Sequence, residues 1–196
     1  MAEKIRKVYP PVEDSSAGSW YHDTDRERYE RVMLILERWL VTKEYDEHDV
    51  RWFIKCSILN NIYISEGVHA LGDDAWKSSN YERRREILEM IETQGYATHK
   101  EMDLEKFRNG LRFEHMVPFN VVLPVLKEMY VQQQLTFEAF QNIREKLNIC
   151  FVTPEEDKKL SQKKFRQAMP LGTDWLNTPN DEFSRYDYAG IKIYKR

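Results

Sequence analysis

No run in this chain approaches the roughly 20 consecutive apolar positions that a membrane-spanning helix needs, so no membrane partner is expected. The segment Met1-Ala2-Glu3-Lys4-Ile5-Arg6-Lys7 lacks the apolar stretch of a secretory leader, and the expected compartment is the cytoplasm. Only two cysteines occur, Cys56 and Cys150, far apart and each among apolar neighbours. They read as two buried thiols in a reducing compartment, and they are too few for a cysteine-based zinc site. A glycine-rich phosphate loop and a Gly-x-Ser-x-Gly nucleophile elbow are both missing, as are internal repeats and low-complexity tracts.

What is present suffices for a globule. The 196 residues, 41% hydrophobic and 13% aromatic, fit one domain or one domain with a helical appendage. A net charge of −3 disfavours indiscriminate binding to polyanions. Its distribution is uneven: residues 1–110 hold 17 Lys/Arg against 22 Asp/Glu, and residues 111–196 hold 13 against 11. The second part is therefore the more basic, as a phosphate-handling part would be.

Residues 1–20, with Pro10-Pro11 and Ser15-Ser16-Ala17-Gly18-Ser19, read as a flexible arm. Apolar positions Tyr29, Val32, Met33, Leu36, Trp39 and Leu40 predict a helix from Asp25 to Val41. Asp46 or Asp49 caps a second, carrying Val50, Phe53, Ile54 and Ile58 and ending near Gly67. A loop follows over Gly72 to Ser79, then a helix over Tyr81 to Thr93 closed by Gly95, and a short one over Met102 to Arg108 stopped by Gly110. Leu111-Arg112-Phe113 alternates as a strand, and Val117 to Gln132 reads as a helix with Pro124 as a kink point. Thr136 caps Phe137 to Leu147, Asn148 to Val152 is a β-type run, and Thr153-Pro154 opens a helix through about Arg166. Met169 to Thr178 is loop-like, and Gly190 to Tyr194 is a short strand expected to pair with 149–152. The predicted class is a mainly helical α+β protein whose small sheet is confined to the second half.

Three groups carry chemistry. Glu114-His115 places a carboxylate, suited to a hard divalent cation, directly before an imidazole that can take a proton from water. Adjacent residues of a strand point to opposite faces, so the pair serves one site only at the strand's end or in a turn. In Thr153-Pro154-Glu155-Glu156, Thr153 is an N-cap, Pro154 suits the first helical position, and Glu156 completes a capping box. Asp157 is not needed for that cap and is free to be a second metal ligand. Finally, Lys158, Lys159, Lys163, Lys164 and Arg166 fall within nine residues that contain no acid. Lys159 and Lys163 share a helix face, and uncompensated like charge there suits an external anion. His22, His48, His69 and His99 lack ligand spacing, and Arg83-Arg84-Arg85 is balanced by neighbouring glutamates.

In order, Phe113-Glu114-His115-Met116-Val117-Pro118, then Ile149-Cys150-Phe151-Val152-Thr153-Pro154-Glu155-Glu156-Asp157, then Arg185-Tyr186-Asp187-Tyr188-Ala189-Gly190-Ile191 resemble the HNH (ββα-metal) nuclease superfamily over about residues 110–192. The resemblance implies an acid-His pair ending one strand, a second strand, and a helix supplying the last ligand. It would make Glu114 the first ligand of Mg²⁺ or Mn²⁺, His115 the general base, and Asp157 or Glu156 the closing ligand. Arg185 would contact phosphate, with Arg112 and the Lys158–Arg166 cluster placing the substrate, DNA rather than RNA. This chain departs from the pattern in its long helical interval after His115, its lack of Asn or His on the closing helix, and its lack of zinc-knuckle cysteines.

The expectation is a flexible arm over 1–20, a helical region over 21–105 and an HNH-like module over 106–196 that hydrolyses phosphodiester bonds. The alternative is a non-catalytic binding or inhibitory protein, acting through a protein or nucleic-acid partner or a homodimer formed by its N-terminal helices.

Overall fold

The computed structural model describes residues 24–58, 82, 85, 96–100, 105, 107, 109–110 and 112–195. Helix α1, Asp25–Leu40, begins where Thr24 and Glu27 exchange hydrogen bonds in a capping box. Its Val32, Ile35 and Leu36 stripe is buried. Helix α2, Glu47–Ile58, is opened by the Asp46 carboxylate, which accepts from the Asp49 N–H at 2.9 Å. Near the last described residues of α2, Arg28 donates to the Ser57 carbonyl at 3.4 Å and Arg144 to the Ile58 carbonyl at 3.1 Å.

Helix α3, Phe119–Val131, starts after Pro118 and runs on through Pro124, which forgoes its own amide bond within the helix. Helix α4, Phe137–Lys146, is capped by Thr136 as its sequence predicts. Helices α1 to α4 share the largest core, in which Leu36, Ile54, Leu126, Phe140 and Ile143 meet and Trp175 closes one side. The core is thus shared between helices that precede residue 105 and helices that follow it.

Among the described residues the sheet has four strands: β1, Tyr96–Ala97; β2, Arg112–His115; β3, Ile149–Val152; and β4, Tyr194–Lys195. Their order is β2-β3-β1-β4. All four residues of β3 are buried, as a central strand requires. Two expectations are corrected here. The sheet is not confined to the second half, because β1 runs parallel to β3. The last strand does not pair with 149–152: β2 and β1 occupy both edges of β3, so Tyr194 and Lys195 pair with Ala97 and Tyr96 instead.

Helix α5, Pro154–Gln162, is shorter than the expected run to Arg166. It stops because Lys164 adopts a left-handed conformation, φ 63°. The Phe165 N–H returns to the Leu160 carbonyl at 2.9 Å and the Lys164 N–H to that of Ser161 at 3.0 Å. This is a Schellman motif with lysine where glycine is usual, and Phe165 packs back on the Leu160 cluster. The short helix α6, Ser184–Ala189, follows a single 3₁₀ turn and was not anticipated. The arm at 1–20, the loop at 72–79 and the end of the second helix near Gly67 lie outside the described residues. So do the helices expected over 81–93 and 102–108, save for residues 82, 85, 105 and 107. No described helix is long and apolar enough to cross a membrane.

Candidate functional site

The β2–β3 ladder fixes which side chains can meet. Glu114 lies opposite Cys150 and His115 opposite Ile149, and the ladder continues past them where the Met116 N–H donates to the Asn148 carbonyl at 2.9 Å. Alternation therefore sends Arg112, Glu114 and Met116 to one face and Phe113 and His115 to the other. The packing agrees: Met116, Cys150, Val152, Leu160, Tyr186 and Ile191 form one buried cluster, while Phe113 meets Phe151 edge-to-face at 5.3 Å. The acid-His pair sits in the strand rather than at a turn, so the imidazole does not join the Glu114 face.

On that face Glu114 meets Arg185 of α6, whose Nη2 donates to its Oε2 at 2.9 Å. The Nη1 of the same guanidinium donates to the His115 carbonyl at 2.5 Å. Arg185 is 0% exposed, so it braces β2 from inside and does not present itself to a phosphate in solution. Burial pushes the Glu114 carboxyl above its ordinary range. Against this, Arg185 pulls it down by charge and hydrogen bond, the Asp157 charge adds to the rise, and Arg166 offsets a little.

Asp157, on the first turn of α5, thus stands within electrostatic reach of Glu114. Its Oδ2 lies 3.7 Å from the Arg112 Nε, and its buried Oδ1 has no hydrogen-bond partner among the described residues. Glu156 is committed elsewhere. Its Oε2 accepts from the Thr153 N–H at 2.9 Å and the Thr98 hydroxyl at 2.6 Å, and its Oε1 is 3.8 Å from the His99 Nε2. It is the cap the sequence suggested and also a clamp between the end of β1 and α5. Its Oε2 is committed to the cap and to Thr98.

Behind the acids lie two groups that sequence reasoning did not select. The Cys150 thiol and the Tyr186 hydroxyl are neighbours in the buried cluster, and burial raises the pKa of each. Nothing in the sequence marks either as part of a polar core, since Cys150 sits in an apolar run. Cys150 is free, as expected.

In front, Lys158, Lys159, Lys163, Lys164 and Arg166 are all exposed, and no salt bridge is recorded for any of them among the described residues. Among the described residues, the guanidiniums of Arg112, Arg166 and Arg185 act on Glu114 or Asp157, and Glu156 adds a third carboxylate nearby. Among the described residues no group of three or more His, Cys, Asp and Glu is placed to hold a metal ion. Two carboxylates remain, and Mg²⁺ is commonly held by one or two carboxylates with water and substrate phosphate as the other ligands.

The structure thus brings together Glu114, Asp157, Arg112, Arg166 and Arg185 from β2, α5, α6 and the turn after α5. It leaves His115 on the opposite face and Glu156 in the cap. No family model, no curated protein and no solved structure matches the chain.

Proposed function

We propose that this protein binds nucleic acid along the cationic surface around α5 and hydrolyses its phosphodiester bonds with Mg²⁺ or Mn²⁺ held by Glu114 and Asp157. The observation that carries the reading is that Asp157, 43 positions on in the chain, lies within electrostatic reach of Glu114, on a helix whose following residues are exposed cations. Further support comes from the order β2, β3, α5: two antiparallel strands followed by a helix, as the HNH resemblance implies.

A divalent ion in this place supplies an acidified water and neutralises charge on the scissile phosphate. The chain's own residues do the rest. The lysines and Arg166 hold the phosphate backbone, Arg112 fixes Asp157, and Arg185 holds Glu114 from behind. His115 has no part in this scheme, because its ring leaves the other face of the sheet.

A second reading, binding without cleavage, is favoured by the exposed cations of residues 158–166 and by the lack of a three-residue ligand group among the described residues. Plasmid nicking with Mg²⁺, Mn²⁺ or EDTA, alongside binding of a labelled duplex, separates the two. Cleavage that needs metal and is lost in Asp157→Asn with binding retained supports hydrolysis. Salt-dependent binding without nicking at any metal concentration leaves the binding reading, and neither activity sinks both. His115→Ala is expected to keep cleavage; its loss in a folded variant would return the base's role to the histidine.

A further inference from the structure

The cationic surface carries an aromatic ring that the proposed reading does not use. Tyr188, on α6, is 63% exposed. It is held by one edge-to-face contact to Phe165, with centroids 6.0 Å apart and planes at 83°. Phe165 is anchored on the buried Leu160 cluster, and its chain neighbours are Lys164 and Arg166. The ring is therefore fixed from below and flanked by unpaired positive charge, with Asp187 as the one acid on its helix.

The backbone adds an independent observation. Lys164 occupies the left-handed position of the Schellman motif, φ 63°, which glycine fills without strain. That lysine directly precedes Phe165, the ring on which Tyr188 rests. Cations that track a backbone, with an aromatic ring among them, are what an unpaired strand requires: the charges take phosphates and the ring takes a base face. A duplex offers no free base face, because every base is stacked and paired.

We infer that Tyr188 is a base-stacking platform and that this surface takes single-stranded nucleic acid in preference to duplex. The inference rests on the nucleic-acid reading above and names its substrate class.

The test is fluorescence anisotropy of the full chain in EDTA with three labelled probes: a thymidine 15-mer, an abasic strand of the same length, and a 15-base-pair duplex. The thymidine strand is expected to bind about tenfold tighter than the abasic strand, within the range for one stacked base. Tyr188→Ala should remove that advantage while Tyr188→Phe keeps it, and thermal melts should show both variants folded. Lys163→Gln and Lys164→Gln should weaken all three probes and flatten the salt dependence. If the lysine variants weaken binding but Tyr188→Ala does not, the platform is overturned and the nucleic-acid reading stands. Duplex binding equal to or tighter than the single strand overturns it as well. Failure of all three probes to bind overturns both.

Discussion

Replacing Lys164 by glycine is expected to make the protein more stable and its grip on nucleic acid weaker. In the left-handed region a residue with a Cβ costs roughly 1–2 kcal/mol relative to glycine, and Lys164 sits there at φ 63°. Glycine's larger freedom in the unfolded chain returns about 0.4–1 kcal/mol of that relief. The balance is a net gain of about 0.8 kcal/mol, which for a chain of this size raises the melting temperature by about 2 °C. Loss of one ammonium from a row of like charges acts in the same direction. The binding effect runs the other way: one phosphate contact fewer lowers the slope of log affinity against log salt by roughly 0.7–0.9. Thermal melts and salt titrations of the one variant read both quantities. A lower melting temperature would refute the strained-lysine argument, and an unchanged salt slope would show that Lys164 meets no phosphate.

Arg185→Met leaves Glu114 buried without its partner and should cost about 3–5 kcal/mol in urea unfolding, while the double change with Glu114→Met should recover most of it; a single-variant cost below about 1 kcal/mol would mean that the pair is solvated. Glu114 has a folded-state pKa above the usual 4.5, so its contribution to stability is full below about that pH and is lost as pH rises through the raised value. The wild type should therefore lose stability relative to Glu114→Gln as pH climbs from about 4.5 towards neutrality, and parallel pH–stability curves would count against a buried carboxyl. Thr153→Ala removes half of the α5 capping box and should cost about 1 kcal/mol, read as a shift in urea midpoint; no shift would mean that the bonds of Glu156 to the residue-153 N–H and the Thr98 hydroxyl hold the helix start by themselves.

The helices were legible where chemistry and period agree. Thr24, Thr136 and Thr153 each precede an apolar period of 3.6, and each caps a helix within a residue of its expected start. Strand β1 was not legible, because two residues cannot show alternation and Gly95 reads equally well as a helix stop. The partner of the last strand was missed for a related reason: local pattern does not say which edges of β3 are free. At the site, Glu114, Asp157 and Arg185 stand out by type and position; Arg185 bonds Glu114, and Asp157 lies within its electrostatic reach. The burial of Arg185 was invisible, since arginine is by default a surface residue and only tertiary packing puts it inside. The face taken by His115 turned on one fact the sequence leaves open, whether β2 ends before the pair or runs through it.

The buried bond between Glu114 and Arg185 also constrains how this sequence can drift over generations. Neither residue can change alone without passing through a variant that holds an unpaired charge inside the protein. The two positions, 71 residues apart in the chain, are therefore inherited as one character. In relatives of this chain they are expected to be retained together or replaced together by an apolar pair, and a relative carrying one without the other is expected to place a new counter-charge in the same space.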